Sequence, residues 1–166
     1  MINIISTTNK SDENCEEEYT QKLNTIFIDN YATFKLNKNI YTPENIFKNS
    51  CYIDQDNLII QYSILKKILN KNTYDITTQI IINNIENILK NHKLITVHIS
   101  LHKMYLIDLD KHYNYLLYLC ELMKKQYPYA LNKCFIYQPS FIYTKIYNVI
   151  ASFFDKETRS KVRLIQ

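Results

Sequence analysis

The stretch Tyr127–Gln166, YPYALNKCFIYQPSFIYTKIYNVIASFFDKETRSKVRLIQ, decides the fold. Pro128 ends the helix before it, because proline has no amide to donate and its ring clashes with the preceding turn. Lys133 to Tyr137 is a short β-prone run closed by Gln138-Pro139. Ser140 is placed to cap a new helix. On that helix Ile142, Ile146, Val149, Ile150 and Phe153 recur at helical spacing and form one apolar stripe. Asp155 to Arg159 is polar, and Val162 to Ile165 returns to strand character. Strand, helix and strand in this order predict a βαβ unit with parallel strands and a right-handed crossover.

The same residues resemble the CRAL-TRIO family of lipid-binding domains, which includes phosphatidylinositol- and tocopherol-transfer proteins. The resemblance rests on Tyr127-Pro128, Lys133, Pro139, Phe141, Phe153-Phe154-Asp155, Thr158 and Lys161, in order and without a gap. It extends more weakly back to about Asn57. It implies an α/β domain with a mixed, mostly parallel sheet flanked by helices. In the family a helical module precedes this domain and a mobile gate helix closes the pocket. Neither is expected here in full: the residues before the sheet are too few, and the sequence stops at Gln166 with Gly 0 for a hinge.

The absence of glycine (Gly 0) also excludes chemistry. A phosphate-cradling P-loop, a dinucleotide fingerprint and a nucleophile elbow all need glycine for tight turns or close backbone approach. The abundance of Asn, Ile, Lys and Tyr suggests an AT-rich coding sequence, such as that of a large DNA virus or a protist. A chain of 166 residues with 46% hydrophobic and 22% charged residues has globular composition. The net charge of +4 is mild and scattered, which favours an anionic membrane surface over a dedicated nucleic-acid site. Cys15, Cys51, Cys120 and Cys134 have no metal-type spacing, and no metal or cofactor is expected. With no apolar signal core at MINIISTTNK and no membrane-length apolar run, the expectation is a cytoplasmic protein.

In chain order, Met1 to about Asn24 reads as a polar, flexible arm, and 25–166 as one domain. Thr25 to Asp29 is a candidate strand. Thr42-Pro43 opens a short helix. Asn57 to Ile64 (NLIIQYSI) and Leu94 to Ser100 (LITVHIS) read as strands, the second apolar enough to be buried on both faces. Between them Asp75 is expected to cap a helix burying Ile81, Ile85, Ile88 and Leu89. Asp108 or Asp110 is expected to cap a long helix burying Leu109, Tyr113, Leu116, Leu117, Cys120 and Met123.

No paired carboxylates with a usable geometry occur, and Ser63-x-x-Lys66 lacks the partners of acyl transfer, so no catalysis is expected. The resemblance implies a ligand pocket over the sheet. Its implied lining is Phe135, Tyr137, Phe141, Ile142, Ile146, Ile150 and Phe153. Lys161 matches the family lysine that meets a phosphate headgroup. Tyr129 stands where phosphatidylinositol-binding members carry a glutamate. The reading is a non-catalytic binder of a phospholipid, such as a phosphoinositide, or of another hydrophobic small molecule. Lipid transfer, docking at a peripheral membrane surface and homo-oligomerisation go with it. The alternative is an interaction or scaffold module, for a small GTPase or for self-association, that no longer binds lipid.

Overall fold

Ile95–Ser100 (ITVHIS) runs through the middle of the molecule because β-branched residues on both faces fit a sheet covered on both sides. In the computed structural model, residues 43–137, Lys145, Asn148, Ser152 and 154–165 are described. They belong to one unit, Tyr41–Gln166. The expected arm at 1–24, the strand at Thr25–Asp29 and the helix from Ser140 through Phe153 lie outside the described residues, three single positions of that helix apart.

The elements run α1 (Pro43–Ser50), β1 (Cys51–Asp54), β2 (Asn57–Gln61), α2 (Tyr62–Leu65), α3 (Tyr74–Leu89), β3 (Ile95–Ser100), α4 (Leu106–Gln126), β4 (Leu131–Tyr137), α5 (Lys156–Ser160) and β5 (Val162–Ile165). The five strands lie in the order β1-β2-β3-β4-β5. β1 and β2 form an antiparallel hairpin whose turn places Gln55 at φ 58. That left-handed position would favour glycine, and this glycine-free chain fills it with glutamine. From β2 onward every pairing is parallel, including β4 with β5, as the strand-helix-strand pattern of the C-terminal stretch predicts.

Register divides the sheet cleanly. Leu58, Val97, Cys134 and Val162 align across β2 to β5, as do Ile60, Ile99, Ile136 and Leu164. Their neighbours Ile59, His98, Phe135 and Arg163 form the alternate row, which faces the other way. The first face carries α3 and α4. On α3, Ile81, Ile85 and Ile88 are buried, as their spacing predicts, and Leu89 is half-buried.

Four expectations need correction. The second strand ends at Gln61, not Ile64, because the chain turns into α2 there. The hairpin partner β1 was not expected at all. Asp75 lies inside the first turn of α3, with Thr73 at the cap position. On α4 the inward face is Leu109, His112, Tyr115, Leu116 and Leu119, whereas Tyr113 is exposed. Tyr113 breaks the 3-4 spacing set by 109, 112, 116 and 119. A polar His112 in that register hides the stripe. Asp108 does hold the start of α4, but from the third helical position: its Oδ2 accepts the Tyr105 amide at 3.0 Å and Lys66 Nζ at 3.3 Å.

Candidate functional site

The face of the sheet beneath α3 and α4 is not closed. A cavity of about 520 Å³ separates it from the helices, inside the ~300–1,000 Å³ range of small-molecule sites. Its floor is Leu58, Ile60, Val97, Ile99, Cys134 and Ile136, and its roof includes Ile81, Ile85, Leu116, Leu119 and Met123. The space lies between two packed clusters, one around Leu65, Leu101, Met104 and Leu109, the other around Leu58, Ile85 and Ile88.

One end is polar. Lys124 at the end of α4, with Asp155, Thr158 and Lys161 around α5, lines the amino-terminal ends of β4 and β5. Asp155 caps α5, its carboxylate accepting the Thr158 amide at 2.8 Å. That hydrogen bond, with a smaller contribution from the Lys124 charge, holds its carboxyl below the usual range. The Lys161 ammonium meets Glu157 at 3.1 Å across one turn.

The other end, at the carboxyl ends of β2 and β3, is lined by Tyr62, Leu65, Leu101, Met104, Leu109 and His112. The Tyr62 hydroxyl is buried there without a hydrogen-bond partner. Burial first, and then the nearby Asp108 charge, drive its pKa far up, so it stays protonated. The Asp108 carboxylate also acts on the hydroxyl as an acceptor beyond ordinary hydrogen-bond distance, which adds to the rise. His112 Nδ1 bonds the Tyr74 hydroxyl at 2.8 Å. Burial, and secondarily Lys111, lowers the His112 pKa against the opposing pull of Asp108, keeping the ring neutral at pH 7.

The expected lining residues separate. Lys161 lines the polar end of the cavity. Phe135 and Tyr137 do not line it: the two-residue period of β4 turns them to the opposite face, and their neighbours Cys134 and Ile136 take the floor. Phe141, Ile142, Ile146, Ile150 and Phe153 lie outside the described residues. Sequence reasoning missed Tyr62, His112 and the α3 contribution. The isoleucine stripe of α3 was legible, but nothing local distinguishes a stripe that packs from one that roofs a space.

On the opposite face Phe135 and Tyr137 enclose His98, which is 0% exposed. The imidazole stacks on Phe135 at 5.1 Å between centroids. Its Nε2 meets Asn57 Oδ1 at 3.0 Å and its Nδ1 the Tyr137 hydroxyl at 2.9 Å. The Asn57 amide nitrogen donates to the Asp54 carbonyl and to Asp56, which leaves its oxygen as an acceptor. Nε2 therefore carries the proton, and Tyr137 donates to Nδ1. Burial pulls the His98 pKa down to about 4, with Asp56 pulling weakly upward.

The thiols are quiet. Burial pushes Cys51 and Cys120 up to about 11 and Cys134 up to about 12, so none is a ready nucleophile. Among the described residues no cluster of three metal-ligating side chains occurs, and no helix is long and apolar enough to cross a membrane.

The model of the CRAL/TRIO domain matches residues 51–166, taking in every strand of the sheet. No curated protein sequence matches the chain. Among solved structures, the crystal structure of Sfh5 is similar with a TM-score of 0.59 and 19% identity, over 66% of this chain and 41% of that one. The likeness to Sfh5 is thus one of fold, and this chain corresponds to less than half of it. The sheet order, the parallel crossovers and the matched residues lead to one assignment: the chain belongs to the CRAL/TRIO domain family.

Proposed function

We propose that this domain binds a hydrophobic small molecule in the space between the sheet and α3/α4, without catalysing a reaction on it. The observation that carries the reading is the 520 Å³ cavity with a mostly apolar wall. That volume is of the size that takes an acyl-type chain. Burying such a chain is favourable by about 0.8 kcal/mol per methylene, ample for retention in water.

Within this reading a phospholipid, including a phosphoinositide, places one tail inside and its phosphate at the polar end. Lys161 and Lys124 supply the positive charge there, and Glu157 competes for Lys161. Native mass spectrometry and lipid extraction of protein purified from cells test the binding. Close to one hydrophobic molecule per chain supports it; protein free of any such molecule removes it. For the phosphate, Lys161→Ala is expected to weaken sedimentation with phosphoinositide liposomes severalfold, and Glu157→Gln to strengthen it. Unchanged sedimentation in both variants takes Lys161 out of the proposal.

A second reading draws on a different observation. Tyr105, Leu106 and Ile107 at the start of α4 are 56%, 39% and 75% exposed and contiguous. Such a patch suits docking on a membrane surface, a partner protein or a second copy of the chain. A monomer by analytical ultracentrifugation that does not float with vesicles argues against both membrane docking and self-association.

A further inference from the structure

We propose that the tip Tyr105-Leu106-Ile107, at the start of α4, docks on an anionic lipid bilayer, and that ligand passes between bilayer and cavity at this end. The proposal commits the exposed patch described above to one occupant, and its second part rests on the cavity reading. The three side chains are contiguous and exposed, Ile107 the most. The residues on either side of them, Leu101, Met104 and Leu109, are buried and line the cavity. One short segment therefore meets the cavity on its inner side and solvent on its outer side. The tip is held from beneath. Lys66 Nζ donates to the Lys103 carbonyl at 2.9 Å and to Asp108 at 3.3 Å, and it lies 5.0 Å from the centre of the Tyr105 ring. An apolar tip fixed in this way gives up little conformational freedom on insertion. Tyr105 joins an apolar ring to a hydroxyl, the combination that suits the headgroup level of a bilayer.

Charge and area decide the occupant. The segment 66–74 flanks the tip, because both its ends are tied to the start of α4: Lys66 meets Asp108, and the Tyr74 hydroxyl meets His112 Nδ1 at 2.8 Å. Lys67 and Lys71 on that segment are exposed, as are Lys103 before the tip and Lys111 one turn beyond Ile107. Among the described residues near the tip the carboxylates are Asp75, Asp108 and Asp110, and of these Asp108 pairs with Lys66 and Asp110 with Lys145. The balance is positive, which complements anionic headgroups. Three side chains fall far short of the ~800 Å² a side that a stable protein interface buries, whereas a bilayer needs no matching surface. An apolar tip flanked by lysines thus fits an anionic lipid surface better than a partner protein or a second copy of the chain. Docking there puts the Leu101–Leu109 end of the cavity against the bilayer, and an apolar ligand crossing at that end avoids exposing its chain to water.

The test is flotation of the whole chain with phosphatidylcholine vesicles, with and without phosphatidylserine. Wild type is expected to float with the anionic vesicles, less with the neutral ones, and less as salt rises. Ile107→Asp is expected to cut binding about tenfold, because an inserting apolar group is replaced by an anion facing anionic lipid. It should leave the fold intact, since Ile107 is exposed and an acidic residue suits the first turn of a helix. Lys103→Glu combined with Lys111→Glu is expected to abolish the preference for phosphatidylserine. Leu94→Asp, at the amino end of β3 and also exposed, should float as wild type does. Equal flotation of wild type and Ile107→Asp overturns the docking tip, and so does a wild type that dimerises through this face and ignores vesicles. Ligand passage is read as the rate at which a fluorescent fatty acid moves from anionic vesicles to the protein. Ile107→Asp is expected to slow it severalfold, while displacement of a cavity-bound environment-sensitive fluorophore by tetradecanoate in vesicle-free solution stays unchanged. An undiminished transfer rate in that variant overturns passage at this end. If wild type floats but takes up neither fatty acid nor fluorophore, the docking tip stands and the cavity reading falls.

Discussion

Val97→Phe is expected to abolish ligand uptake while leaving the protein folded. Val97 sits mid-strand in β3 on the cavity floor, flanked by Leu58 and Cys134 in register. A phenyl ring there grows into empty space, so it adds contacts without displacing neighbours. Stability should stay level or rise by up to ~1 kcal/mol, as cavity-filling substitutions commonly do. Ligand affinity should fall at least tenfold, because the ring occupies the volume that a chain needs. The next residue supplies the control. Thr96 is buried on the opposite face, 5% exposed. Thr96→Phe has no room and is expected to cost ~1–3 kcal/mol by overpacking. Urea unfolding and fluorophore displacement on the two variants decide the matter. If Val97→Phe destabilises as much as Thr96→Phe, the floor is packed and the cavity does not exist in solution.

Acidification to pH 5 is expected to remove about 2 kcal/mol of folding stability through His98 alone. The folded protein holds this imidazole neutral, with its pKa at about 4 against an ordinary 6.5. As pH falls, the unfolded chain therefore takes up the proton first, and protonation favours unfolding. The contribution is complete above about 6.5, drains as pH falls, and is exhausted near 4. His112 shifts in the same direction and adds to the slope. Urea unfolding at pH 7 and pH 5 measures the sum, and the His98 ring resonances in an NMR titration identify its share. His98→Phe keeps a ring to stack on Phe135 but removes the donor to the Asn57 oxygen and the acceptor that the Tyr137 hydroxyl meets at 2.9 Å. It should lose ~2–4 kcal/mol at pH 7 and show a flatter pH profile. A His98 resonance that titrates near its ordinary value would mean that the sheet face is open to water.

Local sequence carried a good deal of this molecule. Residues 95–100 are β-branched on both faces and had to be an interior strand. Pro128 had to end α4, and residues 162–165 had to return to strand after the polar turn at 155–159. These are properties of short segments: period, branching and the missing amide of proline. The resemblance of Tyr127-Pro128 through Lys161 then named a family, and of that stretch the described residues include β4 and β5 at one edge of the sheet. Where local signals were weak, boundaries slipped. Gln61 ends β2 because Tyr62 turns inward to the cavity, a reason located in the fold and not in NLIIQYSI itself.

The character of the site was another matter. The family resemblance implied an apolar lining over the sheet with Lys161 beside it. Which face is hollow depends on how far α3 and α4 stand from the floor, a distance set by all the side chains between them. The alternation of β4 in the sheet turned Phe135 and Tyr137 to the face around His98 and put Cys134 and Ile136 under the space. Tertiary packing also brought Tyr62, Asp108 and His112 to one end, though their positions in the chain are remote. Periodicity reports which residues avoid water; only the assembled layers determine whether they meet each other or leave room for a guest.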